Sequence, residues 1–159
     1  MACDQTGWTI HEGELDAPDV QELLALHFAA MRASSPAEAC HVLPIDGLRD
    51  PAIRVFSLRD DRGLLLGVGA LKEIDPGHGE IKSMRTAPDA LGRGVGGFLL
   101  SHLLAIARKM DLRRVSLETG SGTTFDAANG LYERDGFAPC GPFGGYRDTP
   151  FTRFWTLTL

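Results

Sequence analysis

A chain of 159 residues, 43% hydrophobic and 23% charged, has the length and composition of one ordinary globular domain. A formal net charge of −5 argues against a general nucleic-acid binder, which carries a basic face. No apolar run approaches the roughly 20 residues of a membrane span, and the N-terminus has neither a basic region nor an apolar core, so no membrane association is expected and a cytoplasmic location is. Cys3, Cys40 and Cys140 are an odd set without metal-ligand spacing and read as reduced thiols; no metal site is expected.

In chain order, Trp8–Glu12 alternates apolar and polar residues and predicts a strand. Asp16-Ala17-Pro18-Asp19 predicts a helix start, with proline and acids in the first turn. Val20, Leu23, Leu24, Leu26, His27, Phe28 and Met31 form its apolar stripe, and Ser34-Ser35-Pro36 ends it. Pro36–His41 predicts a second short helix, followed by a loop through Pro44 and Gly47. Ile53–Leu58, Leu64–Ile74 and Glu80–Thr86 predict three strands, joined by the turn sequences Asp60–Gly63 and Asp75–Gly79. Connections this short admit only antiparallel pairing.

Gly92, Gly94, Gly96 and Gly97 crowd the start of a helix predicted over Gly94–Met110. Glycine lets the backbone approach a ligand closely, and a helix start offers unpaired N–H groups and a positive dipole end. With Arg93 alongside, the stretch reads as a phosphate or pyrophosphate cradle. It contains G-x-G-x-x-G over Gly92–Gly97, with Glu118 about 20 residues further on. A dinucleotide fold is nevertheless disfavoured. Ala87–Leu91 separates the first glycine from the strand, and too little chain remains beyond it. Arg114–Thr119 predicts a strand parallel to 80–86 through a crossover. Phe125–Asp135 predicts a helix ended by Gly136. Phe137–Cys140 and Phe151–Leu159 predict final strands around a loop, Gly141–Pro150, rich in glycine, proline and aromatics.

Gly94-Val-Gly-Gly-Phe-Leu-Leu100 and Ala128-Asn-Gly-Leu-Tyr-Glu-Arg-Asp-Gly-Phe137 together resemble the GNAT superfamily of N-acetyltransferases. The first segment resembles its acyl-CoA pyrophosphate loop, the second its Ala-x-x-Leu-Tyr-Glu-x-x-Gly-Phe motif. His78–Ala87, Leu117–Ser121 and Cys140–Tyr146 resemble a bacterial branch of these proteins. The resemblance implies an α/β (α+β) fold in one domain spanning residues 1–159. Its mixed sheet would have about six to seven strands, with an N-terminal antiparallel meander, a parallel splayed pair and flanking helices. It implies acetyl-CoA as cosubstrate, direct attack by the amine of a small molecule in a ternary complex, and a homodimer through the C-terminal strands. Rival readings are a catalytically silent acyl-CoA sensor and a protein acetyltransferase. Two departures stand out: Leu91 replaces a usual Gln or Arg three residues before Gly94, and Phe125 replaces a usual Asn seven residues before Tyr132.

Carried onto this chain, the resemblance makes Tyr132 the acid that protonates the coenzyme A sulfur, since a phenol matches a leaving thiol in proton affinity. Glu80 becomes the base, directly or through water, with Glu118 and His78 as rivals. The cofactor would be met by Met84, Arg85 and Thr86 on the strand, where a β-bulge is expected. It would also be met by Leu91, Gly92, Arg93, Gly94, Val95, Gly96 and Gly97 in the loop, and by Phe125 and Asn129 near the second motif. The acceptor would lie among Met31, Ser34, His41, Phe143 and Tyr146, with Arg32, Arg85 and Arg147 available to a carboxylate.

Overall fold

The computed structural model describes residues 7–159, so Cys3 lies outside it. A seven-stranded sheet of order β1-β2-β3-β4-β5-β7-β6 forms its centre. Strands β1 (Thr9–Glu12), β2 (Ile53–Arg59), β3 (Leu65–Asp75) and β4 (His78–Thr86) make the antiparallel meander that short turns demand. Strand β5 (Arg114–Thr119) pairs with β4 in parallel, β7 (Arg153–Thr158) pairs antiparallel with β5, and β6 (Ala138–Pro139) edges the sheet.

Helix α1 (Pro18–Ser34) covers one face, burying Val20, Leu23 and Leu24 against Val55, Leu65, Val68 and Ala70. Helix α3 (Val95–Lys109) covers the other with Val95, Leu99, Leu100 and Leu103. Its close seat on the sheet requires Gly67, where a Cβ would stand 2.8 Å from Val95 and 2.9 Å from Leu99. Helix α4 (Asp126–Arg134) comes after β5 and a single 3-10 turn at Thr123–Phe125.

Three expectations shift. Pro36–His41 is not a helix but a 3-10 turn over Ala37–Ala39. The expected loop after it contains the one-turn helix α2 (Ile45–Leu48), which starts from an extended Pro44 and buries Leu48 in the cluster beneath α1. Strand 137–140 shrinks to two residues, since Pro139 has no N–H for a ladder.

Two features of β4 set up the site. Its ladder with β5 ends at Ile81 and Leu117, although β4 runs on to Thr86 and β5 to Thr119. Its pairing with β3 slips between Lys82 and Arg85, and Ser83 there has a left-handed φ of 54°. This is a β-bulge, which bends the strand and re-aims the residues beyond it. Together they open the parallel pair into a V.

Candidate active site

The V opens into a cavity of about 630 Å3. Its wall is built from β4, the end of β5, the loop before α3, the start of α4 and the segment 39–43 after α1. Among the residues the sequence singled out, Glu80, Met84, Arg85, Thr86, Leu91, Gly92, Gly94, Val95, Gly96, Gly97, Phe125 and Tyr132 all line it. Arg93 and Asn129 do not. The Arg93 guanidinium lies 5.7 Å from the ring of Trp8. Asn129 donates to the Gly120 carbonyl at 3.0 Å and accepts from Trp155 Nε1 at 2.9 Å, tying α4 to the sheet.

The loop before α3 has the geometry of an anion cradle. Gly94 is the N-cap of α3 at φ 85°, and no side chain caps the first turn. Gly92 is also left-handed, at φ 75°, and a Cβ on either glycine would meet nothing within 4 Å. These two glycines therefore serve conformation and open space, not packing. Gly96 differs: a Cβ there would stand 3.2 Å from Leu131, so it admits α4. Past the bulge, the β5-facing edge of β4 has no ladder partner and can take an extended chain as an added strand.

Tyr132 is buried against the ring of Phe137 at 5.9 Å between centroids and still reaches the cavity. Burial pushes its phenol up to about 12, so the proton stays on through the neutral range.

The other half of the cavity is polar. Glu80 and Lys82, two apart on β4, share a face. The Lys82 Nζ donates to Glu80 Oε1 at 2.7 Å and to the Tyr146 hydroxyl at 2.9 Å, and that hydroxyl donates to Glu80 Oε1 at 2.5 Å. Burial and the Glu80 carboxylate push the Tyr146 phenol well up. On the end of β5, Glu118 Oε2 lies 2.5 Å from His41 Nδ1, and burial raises its carboxyl against the lowering pull of His41. His41 also stacks 4.9 Å from Tyr146. Beneath α1, Arg85 Nε donates to His27 Nδ1 at 3.0 Å, while its Nη2 is buried with no hydrogen-bond partner.

Of the remaining candidates, Met31 and His41 line the cavity, whereas Ser34 yields to its neighbour Ser35. Tyr146 and Phe143 are not in the cavity wall: Tyr146 reaches it only through its hydrogen bonds to Glu80 and Lys82, and Phe143 packs on Tyr146, His78 and Phe154. His78 is held by Ser116 Oγ at 2.7 Å and stays outside the cavity wall. Arg32 lies over Phe28. Two cavity residues, Lys82 and His27, have no role assigned by the sequence. The i, i+2 spacing from Glu80 could have signalled Lys82, but His27 is an ordinary member of an apolar helical stripe.

A left-handed glycine cap, an uncapped helix start and a splayed parallel pair converge on one cleft. The profile of the acetyltransferase (GNAT) family matches residues 18–137. The chain belongs to the GNAT family of N-acetyltransferases. It is 45% identical over 152 residues to the uncharacterized N-acetyltransferase YedL of Escherichia coli, covering 96% of this chain and 95% of that one. It is 42% identical to the uncharacterized N-acetyltransferase YsnE of Bacillus subtilis, covering 92% and 96%. Among solved structures, a GNAT family acetyltransferase from Elizabethkingia anophelis with acetyl-CoA bound superposes with a TM-score of 0.71 at 19% identity, over 98% of this chain and 100% of that one. GNAT enzymes use acetyl-CoA as the acetyl donor, and the open cradle at Gly92 and Gly94 fits its diphosphate.

Proposed function

We propose that this GNAT enzyme moves the acetyl group of acetyl-CoA to the amine of a small molecule by direct attack in a ternary complex. The observation that carries this reading is one cavity whose wall includes the helix cradle, the Tyr132 phenol and two carboxylates, Glu80 and Glu118. In this reading N–H groups of residues 92–97 hold the diphosphate, and the free edge of β4 holds the pantetheine arm. A backbone N–H near Met84 or Arg85 meets the acetyl carbonyl. Acetyl-CoA supplies the activated thioester. Tyr132 delivers its proton at the sulfur.

The amine proton has two routes. Glu80 takes it directly or through the Tyr146 phenol, which already donates to Glu80. Glu118 takes it through His41, whose Nδ1 faces the carboxylate and whose Nε2 is then free to accept. The unpaired thiols of Cys40 and Cys140 suit a reducing cytoplasm. The edge formed by β6 and β7 is the surface for a homodimer, which light scattering would detect.

The decisive experiment measures thiol release from acetyl-CoA over a broad amine panel. Tyr132→Phe keeps the ring and removes the acid. The expected result is a fall in kcat of about 100-fold or more with coenzyme A affinity unchanged. An unchanged rate would remove Tyr132 from the role, and binding of acetyl-CoA without release for any amine would favour a sensor.

A further inference from the structure

Arg85 is an anomaly in this molecule. Arg49, Arg54 and Arg59 each pair with carboxylates. Arg85 is partly buried in the cavity wall, and among the described residues its only hydrogen-bond partner is a neutral imidazole acceptor, His27 Nδ1 at 3.0 Å. Its Nη2 is sealed from solvent with no hydrogen-bond partner among the described residues. A desolvated guanidinium without a counter-charge is destabilising, and an unmade bond to a buried charged donor adds to that. His27 cannot supply the missing charge. Burial and the adjacent guanidinium hold its imidazole down at about 4, so it stays neutral in the neutral range. Such an arrangement is retained where a ligand brings the anion.

The position of Arg85 says which ligand. Arg85 stands opposite Val68 in the β3–β4 ladder, and Val68 packs in the cluster beneath α1. The diphosphate cradle belongs to α3, which covers the opposite face of the sheet. Arg85 and His27 therefore sit on the acceptor side of the cavity, with Met31 of α1. Further back along β4, and on the end of β5, lie Glu80 and Glu118, which also line the cavity and suit the cationic end of the acceptor. We propose that the acceptor is an amino acid or similar amine carrying a carboxylate, and that Arg85, oriented by His27, is the group that recognises that carboxylate. His27 fixes the guanidinium plane through Nε, and with Nη2 sealed inside the fold, Nη1 is the terminal nitrogen left to meet a carboxylate.

This deepens the acetyltransferase reading and rests on it for the amine. The test pairs a panel of amino acids with their amides, one for one, on the full chain with coenzyme A or acetyl-CoA present. Calorimetry reads binding, and thiol release reads transfer. The acid of a pair is expected to bind and react at least tenfold better than its amide. Arg85→Gln should erase that preference, Arg85→Lys should keep part of it, and both should bind coenzyme A as the wild type does. Equal use of acids and amides by the wild type overturns the proposal, as does a preference that survives in Arg85→Gln. A tenfold loss of coenzyme A affinity in Arg85→Gln, with the preference intact, assigns Arg85 to a cofactor phosphate and overturns it too. Acid-selective binding without transfer leaves the proposal standing and sinks the amine-acetylation reading; transfer without acid selectivity does the reverse.

Discussion

Two carboxylates face the acceptor half of the cavity, and their partners divide their labour. Both Lys82 and Tyr146 are already spent on the Oε1 of Glu80. Glu80 Oε2 carries no such bond among the described residues, so a proton reaches that oxygen directly or reaches Oε1 through the phenol. Glu118 instead holds one end of an imidazole, the arrangement that orients a histidine and leaves its other nitrogen to face the cavity. Replacing His41 by Gln is therefore expected to lower kcat by about 100-fold, with a small change in KM. Glu80→Gln leaves the Lys82 ammonium without its carboxylate and is expected to act chiefly on KM and thermal stability. Rate profiles against pH for the two variants decide the matter. A steeper loss of kcat in Glu80→Gln, with His41→Gln near wild type, would return the base to Glu80. Tyr132 contributes no falling limb between pH 8 and 10 in either variant, because burial raises its phenol to about 12.

At the next scale, the proposed diphosphate cradle rests on the backbone geometry of the turn from β4 into α3. Gly94 is left-handed at φ 85° with open space around it. Alanine there meets no clash but must hold a conformation costing about 1–2 kcal/mol, so the cap relaxes and its N–H groups turn. Gly94→Ala is expected to weaken coenzyme A binding about tenfold by calorimetry while lowering Tm by only a few degrees. Unchanged affinity would show that the cap does not hold the diphosphate. The start of α3 was legible in the sequence because glycines crowd the point where the helical stripe begins. The helices and the meander were legible for the same local reason, period and turn chemistry. The bulge was not: nothing in Lys82-Ser83-Met84 marks Ser83 as left-handed, and only the family resemblance raised it. The α2 turn was hidden because Pro44 and Gly47 read as breakers, while Leu48, buried beneath α1, decides the local fold. The meeting of His41 with Glu118, 77 residues apart, is set by how the segment after α1 folds back across the V. No periodicity encodes that.

Across the molecule as a whole, stability should depend on pH through buried histidines more than through surface pairs. Burial lowers His27, His78 and His102 alike, His27 furthest, to about 4. An unfolded histidine titrates near 6.5, so between that value and about 4 the unfolded chain binds protons that the fold excludes. Stability is therefore full above pH 6.5 and is lost as pH falls through this window. For His27 the loss is roughly 3 kcal/mol, or a drop of about 6–12 °C in Tm for a domain of this size. Glu118 works the other way, since its raised carboxyl favours the fold at lower pH, but it is one group against three. The carboxylates held low by hydrogen bonds, Glu12 and Asp19 to arginine and Glu14 to Ser57 and then Arg59, lose their contribution only further down, below about pH 4.5. Calorimetric scans at half-unit steps from pH 7.5 to 4.5 should therefore show Tm falling well before these carboxylates protonate. In His27→Gln, whose amide oxygen can still accept from Arg85, most of that slope should vanish while Tm at pH 7.5 stays close to wild type. A variant that keeps the full slope would locate the acid sensitivity in His78, His102 or the sheet's ion pairs and separate it from the guanidinium beneath α1.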